Sequence, residues 1–518
     1  MEPQESRPSL NSIPHELLHS ILIQVSPEDI ASLSGTCSRL YKFIRKNALL
    51  FKDIYTQRLD EPRKIVKGWQ WEEEVHQFAK LNRYLGGSES QSFQTVAQKK
   101  DKLSFVAQYA VNIARLANPQ ENSLTTQFLG EAFSSRENKE AFLCRSITFT
   151  RAAKHKRIHT DTFAERQASA KLHCYHGVPI EVPSEEYRNA YPYACSMVYD
   201  LRNYTDHTLW GPFLDDGLAS VDWEKMEAVM IVLGHNLREF EEHTRVHFRP
   251  VWHTPWQGAS PNSFMPISIE GSGEPAPPKR PQDPYNISGS WLRVVCFLDF
   301  RDLFRLNFDN EVLSSSPLPP IHATEAVRLI VMEIEYVRTE EPGEDDNQEF
   351  PVVWFKGKSR SVHTPHDPNA NSNIRGCVRM TKEGEIRWTS WSIYGGQERW
   401  KSEGIQLGGI GSGRGVIGHW FDKDLDEQGP AGPTAFWKIS NEIDERPTKS
   451  WAWDDGADED GEEDDEDDED DEDDEDDEDD EDEDDDDYHD LELDDEGEEG
   501  EDQHVELVFE VFAAGAGS

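Results

Sequence analysis

The chain has 518 residues, more than one hydrophobic core usually supports, so two or three folded units with tails are expected. Its formal charge of −50 is local: 40 of the 102 acidic residues fall between Asp454 and Asp502 without a lysine or arginine, leaving 62 acids against 52 bases elsewhere, a net of −10. Six cysteines without a C-x-x-C pair leave no zinc ribbon and argue for reduced thiols. The absence of an apolar leader or of any run approaching roughly 18 apolar residues leaves secretion and membrane spanning unsupported, so a cytoplasmic or nuclear location is expected.

Residues 1–9 read as a disordered amino terminus, and residues 10–55 as three closely spaced amphipathic helical segments. In the first, Leu17, Leu18, Ile21, Leu22 and Val25 lie on one stripe of a 3.6-residue period, with Pro14 in a first turn where its missing N–H is harmless. Ser26-Pro27-Glu28-Asp29 carries start signals for the second: a capping serine, proline at the first helical position and an acid three residues on. Cys37, Leu40, Tyr41 and Ile44 continue the stripe into a third helix. A unit this short cannot bury its own apolar surface, which points to a partner.

The string I-P-H-E-L-L-x-x-I-L-x-x-V-S-P-E-D-I-A-S-L-S-x-x-C-S-R-L-Y resembles the F-box over its whole length, with Ile13 where leucine is usual and Tyr41 near where tryptophan is common. The resemblance implies a three-helix module that docks on a Skp-type adaptor and so tethers a substrate receptor to a cullin ubiquitin ligase. The adaptor-binding residues it implies are Pro14, Leu17, Leu18, Ile21, Leu22, Ile30, Leu33 and Leu40. Leu49 to Tyr55 is similar to the segment that often follows. His15-Glu16-Leu17-Leu18-His19 also fits H-E-x-x-H, but a helical wheel turns both histidines roughly 110° from the centre of the apolar stripe, where they read as solvated flank residues rather than zinc ligands.

Residues 56–248 read mostly helical, with periodic segments around Trp69–Leu85, Val96–Leu116, Leu124–Phe133 and Glu224–Phe240. Residues 249–285, rich in proline, glycine and serine, read as a linker or surface loop. Over 286–442 the period changes to two. Ile330, Met332, Ile334 and Tyr336 alternate with their neighbours, and further strands are expected at Trp291–Phe300, Pro351–Val362, Ile374–Met380, Glu385–Tyr394, Glu398–Leu407, Val416–Trp420 and Ala435–Ile439. Eight short antiparallel strands suggest a closed barrel or a sandwich, since an open sheet leaves reactive edges. Gly289-Ser290-Trp291 is similar to the G-x-W opening lipocalin-like barrels, and the stretches 190–213, 222–237, 290–308 and 376–440 resemble the body of a family of fungal F-box proteins.

The acidic run, taken as 454–503, should be disordered, because like charges repel and nothing apolar offsets the ordering entropy. Val505, Leu507, Phe509 and Val511 alternate within 504–512, a segment readable as an extra strand or as a frayed terminus.

Catalytic motifs are weak. Gly413-Arg414-Gly415-Val416-Ile417-Gly418 fits G-x-G-x-x-G, but β-like residues follow where a dinucleotide site needs a helix. Gly357-Lys358-Ser359 has Val352 in place of the upstream glycine of a phosphate loop. His155/His159, His243/His247 and His173-Cys174-Tyr175-His176 lack partners at metal-site spacing, so no metal and no cofactor is expected. The basic segment 151–159 could face nucleic acid, yet the chain's own carboxylates would repel phosphate, and nucleic acid is disfavoured. Trp388 and Trp391, three apart on one strand, must face opposite ways. The outward one is a candidate interface anchor, with Arg387, Arg399 and Arg414 as candidate partners for a substrate carboxylate.

The reading is a multidomain α+β, non-catalytic substrate receptor of an SCF-type ubiquitin ligase: an F-box, a helical middle, a target-binding β domain and a disordered acidic tail. The alternative is an acidic chaperone or interaction protein for basic clients. A third is an enzyme built around a lipocalin-like cavity.

Overall fold

A computed structural model describes residues 13–62, 68–86, 102–117, 123–153, 161–178, 185–244, 282–309, 316–362, 364, 370–410, 412–426 and 429–443. All lie in one unit running from Met1 to Trp451. The expected segments 1–9, 454–503 and 504–512 fall outside the described residues, as does nearly all of the linker.

Four short helices open the chain: α1 (His15–Leu22), α2 (Pro27–Ser34), α3 (Ser38–Ile44) and α4 (Ala48–Thr56). Pro27 begins α2 as expected, but the Ser26 hydroxyl donates to Asp29 Oδ2 at 2.8 Å instead of capping the backbone. Side-chain caps appear where no start signal was read, at Cys37 Sγ and at Asn47 Oδ1, which accept from the N–H of Leu40 and Leu50. The turns are fastened by arginines. Arg58 Nη2 donates to Val25 O at 2.8 Å, just after α1, and Arg39 Nη2 to Ile13 O at 2.5 Å, just before it.

The middle holds α5 (Trp71–Leu85), α6 (Leu103–Leu116), α7 (Leu124–Ala132), α8 (Ile147–Ala152), α9 (Phe163–His176), α10 (Glu185–Val198) and α11 (Trp223–Thr244). Three of these, α8, α9 and α10, escaped the periodicity. Helix α9 has little contrast between its faces and is set by a reciprocal capping box between Thr162 and Glu165, while α10 carries Pro192 inside it. Helix α11 is the spine: Met226, Val229, Met230 and Leu233 are buried, and it packs on both α9 and α10 and on the sheet.

The sheet is a closed barrel in sequential order, β1 (Gly289–Phe297), β2 (Ala326–Glu340), β3 (Val352–Ser361), β4 (Ser372–Met380), β5 (Ile386–Tyr394), β6 (Gln397–Gln406), β7 (Val416–Asp422) and β8 (Ala431–Ser440). All neighbours are antiparallel, and β1 closes on β8 with Arg293 opposite Phe436. Glycines let the walls approach: a Cβ at Gly418 would lie 2.0 Å from Glu403 O, and one at Gly376 2.3 Å from the Phe355 ring. The expected strand to Phe300 ends at Phe297, because Asp299 caps a helix, α12 (Phe300–Phe308), with Oδ1 accepting from Arg301 N at 2.8 Å.

Alternation divides the barrel's side chains between two cores. Inward, Trp291, Phe355, Trp388 and Phe436 form an apolar plug, which Ile287 joins together with Tyr285, the last residue of what was expected to be linker. Outward, Val294, Cys296, Val331, Ile417 and Trp437 join the core that runs through α11 and the other helices back to Leu18 of α1. The helical layer and barrel therefore share one apolar interior.

Candidate functional site

The apolar residues of α1 fall into two rows. Leu18 and Leu22 are 0% and 2% exposed and complete the interior of the module with Ile30 and Leu40, packed against the buried Leu50, Phe51 and Ile54 of α4. Pro14, Leu17 and Ile21, spaced at i, i+3 and i+7, form a neighbouring row open to solvent, with Leu17 57% and Ile21 45% exposed. Leu33 is half-buried, while Tyr41 and Leu49 are exposed apolar side chains of the same module. Of the eight residues expected to form the adaptor face, Leu18, Leu22, Ile30 and Leu40 are thus placed inside. Pro14, Leu17, Ile21 and in part Leu33 remain able to touch another chain.

His15 and His19 take separate structural partners. His15 packs on the Phe43 ring with centroids 5.3 Å apart, and His19 Nε2 lies 2.7 Å from Asp53 Oδ2 on α4. Asn82 on α5 donates to Glu28 Oε1 at 2.7 Å, anchoring α2 to the helical layer. The module is thereby braced from behind, and among the described residues none covers the Leu17 row.

The five residues expected to bind a target are scattered. Trp388 faces the lumen, where its Nε1 donates to Gln406 Oε1 at 2.9 Å, whereas Trp391 faces outward and half-exposed, with the Arg375 guanidinium 4.5 Å from its ring centroid. Arg387 shares the outward parity of Trp391 but pairs with buried Glu403 at 2.9 Å and lies over Phe213, inside the seam between barrel and helices. Arg414 is buried, donates to Cys174 O at 3.0 Å, and is pushed down to about 10 by desolvation. Arg399 alone of the three arginines is exposed, beside the Trp400 ring. The structure does not assemble these five into a site. Strand parity separated the two tryptophans correctly, but it carries no information about which outer strands are covered by helices.

The remaining candidate groups are mostly buried or paired. His173 Nδ1 lies 2.6 Å from Glu227 Oε1, and its Nε2 2.8 Å from the Tyr187 hydroxyl, all buried. Burial drives His176 and His419 down to about 3, so both stay neutral. Among the described residues no group of three His, Cys, Asp or Glu could hold a metal, and no helix is long and apolar enough to cross a membrane. Residues 413–418 form a turn into β7 with no helix after it. His155, His159 and His247 lie outside the described residues. The most perturbed carboxyl, Glu325, precedes β2. It accepts from Tyr199 and Tyr191 at 2.5 and 3.0 Å and is still raised by burial to about 7.

Residues 10–57 match the F-box-like family model. No curated protein and no solved structure matches the chain. The chain thus carries an F-box-like domain whose fold is the α1–α4 module. Such a domain implies a Skp-type adaptor and, through it, a cullin scaffold.

Proposed function

We propose that the chain is the substrate-recognition subunit of an SCF-type ubiquitin ligase. The observation that carries this reading is the coincidence of the family match at 10–57 with an uncovered apolar row, Pro14, Leu17 and Ile21, on a helix whose other row is already committed to its own core. Large apolar side chains held in water gain about 1.5–3 kcal/mol each when a partner covers them. The ligase chemistry belongs to other subunits; this chain supplies proximity, raising the effective concentration of a target lysine. The barrel is the part that captures the target, and the reading places the protein in the cytoplasm or nucleus. Likeness to fungal F-box proteins is part of the same reading.

Affinity purification with the adaptor tests it. Leu17→Asp/Ile21→Asp abolishes adaptor retention in an otherwise folded chain; full retention rejects the proposal. The local concentration of 40 carboxylates favours a second reading, capture of basic clients by the acidic run. Deleting 454–503 separates the two, since a receptor keeps its target and a client-holding tail loses it.

A further inference from the structure

The two ends of the barrel lumen differ. At one, Trp291, Trp388 and Phe436 pack ring on ring with centroids 5.1–5.8 Å apart, sealed beneath Tyr285 and Ile287. Towards the other end the inward positions become polar and cationic: Arg293 on β1, Arg328 on β2, Ser390 on β5, Ser402 on β6 and Thr434 on β8. Strand register fixes this parity, with Arg293 opposite Phe436, Arg328 opposite Val295, Thr434 opposite Val295, and Ser390 opposite Ser402. Arg328, Ser390, Trp400 and Trp420 keep partial exposure although they face inward, so this half of the lumen opens to solvent.

Arg293 is the anomaly. It is 5% exposed, and its hydrogen bonds go only to two neutral hydroxyls, Nε to Thr434 Oγ1 at 3.0 Å and Nη2 to Ser402 Oγ at 2.6 Å. Thr434 in turn donates to Val294 O, which fixes its lone pairs toward the guanidinium. Among the described residues no carboxylate pairs with Arg293 or with Arg328, and Arg293 Nη1 has no acceptor. The contrast is with Arg145, equally buried, whose Nε and Nη2 are met by both oxygens of Asp161 at 2.8 and 2.7 Å. Burial lowers Arg293 to about 10, which leaves it charged at neutral pH. Among the described residues, the ionisable group that acts on that charge is the Tyr394 phenol. A buried guanidinium without an anion is strongly unfavourable, and an apolar residue there would continue the plug.

We propose that the open half of the barrel lumen is a carboxylate-binding site. Arg293 forms the ion pair through its free Nη1 edge, Ser402 and Thr434 hold the guanidinium in place, and Arg328 adds a second positive charge one register step away. Trp400 and Trp420, edge to face at 5.3 Å, contact the apolar body of the ligand. A planar carboxylate suits the single open edge of a guanidinium. A phosphate is less well served, because the backbone N–H groups of a closed barrel are committed to the ladder and offer no nest. The carboxylate can belong to a free organic acid or to the carboxyl terminus of a polypeptide. Helix α12 begins three residues after β1 ends at this mouth, and its Phe300, Phe304 and Phe308 form an exposed ridge that only the longer ligand would reach.

The test titrates the full chain, without adaptor, against phenylacetate, octanoate and the peptide acetyl-Ala-Phe-Phe, each beside its neutral amide, following tryptophan fluorescence. At least one carboxylate quenches saturably and its amide binds at least about 10-fold more weakly, the value of one charge-assisted contact. Arg293→Met lowers that affinity by about 10-fold or more without lowering the melting temperature of the ligand-free chain, because the variant loses an unmatched cation. If Arg293→Met does not fold, Ser402→Ala serves in its place, expected to weaken binding about 3-fold in an intact barrel. Phe304→Ala weakens the peptide alone if a chain terminus is the ligand, and neither ligand if it is a free acid. Equal binding of acids and amides, unchanged binding by the Arg293 or Ser402 variant, or no response to any carboxylate overturns the site. The proposal does not rest on adaptor docking, and its failure leaves the F-box reading untouched.

Discussion

The amino-terminal module and the barrel break the usual distribution of polarity in opposite directions. Four short helices have too little interior for their leucines and isoleucines, and the surplus row, Leu17 and Ile21, stands in water. The closed sheet has an interior to fill, and half of it mixes arginines and hydroxyls with Trp400 and Trp420. A single exposed leucine is common, whereas an organised apolar row in water and a buried guanidinium without an anion both depart from the usual distribution.

The strongest way to break this comparison is at α1. Leu17→Asp/Ile21→Asp should reduce adaptor affinity by at least about 100-fold, as expected for two central anchors, while shifting unfolding free energy by roughly 0.5 kcal/mol or less each. A calorimetric titration beside a denaturation curve reads both, and a variant that unfolds instead would place these residues in the core. Leu18→Ala should do the reverse, losing about 2–5 kcal/mol of stability through the cavity it leaves, visible as a lower urea midpoint.

Glu325 sharpens the comparison inside the helical layer. Its folded carboxyl is raised from 4.5 to about 7, so the folded chain keeps a proton there that the unfolded chain releases. Stability from this group is therefore full below about pH 4.5 and declines as pH rises through 7, by up to roughly 3 kcal/mol. Tyr191, Tyr199 and Cys195 are pushed upward by burial and stay neutral over that range. Chemical denaturation of Glu325→Gln at pH 5 and pH 8 should show a smaller loss than the parent chain; an equal loss would assign the slope to other groups. The smallest effect is expected outside the barrel, where Arg375→Ala removes an exposed cation–π contact with Trp391 and should cost at most about 1 kcal/mol by thermal melting.

The eight strands were legible, most clearly where Ile330, Met332, Ile334 and Tyr336 alternate with their neighbours in β2, but the choice between barrel and sandwich was not, because β1 and β8 carry apolar residues on both faces and closure depends on their pairing. Helix α12 was not legible either: Phe300 to Phe308 follows a strand directly, and one aspartate, Asp299, ends the alternation. In α1 the apolar positions were visible but the division between rows was not. Leu17 and Leu18 are neighbours in sequence, and only the fold, which draws Leu18 into the buried core and leaves Leu17 57% exposed, tells them apart. The target-binding residues fared worst, since outward parity at Arg387 looks like exposure until a helical layer is laid over it. Arg293 had a readable signal, its shared parity with Trp291, which would have placed it indoors.

The continuous apolar interior from Leu18 through α11 to Trp437 has a practical consequence for anyone dissecting the protein. Truncations that cut between helices and sheet expose Val294, Ile417 and Trp437 to water and strip α11 of its backing, so such fragments should aggregate or melt. Loss of binding in a deletion series would then report collapse of a cooperative unit rather than removal of a contact. Point substitutions at solvent-facing positions are the tools that keep those two outcomes apart.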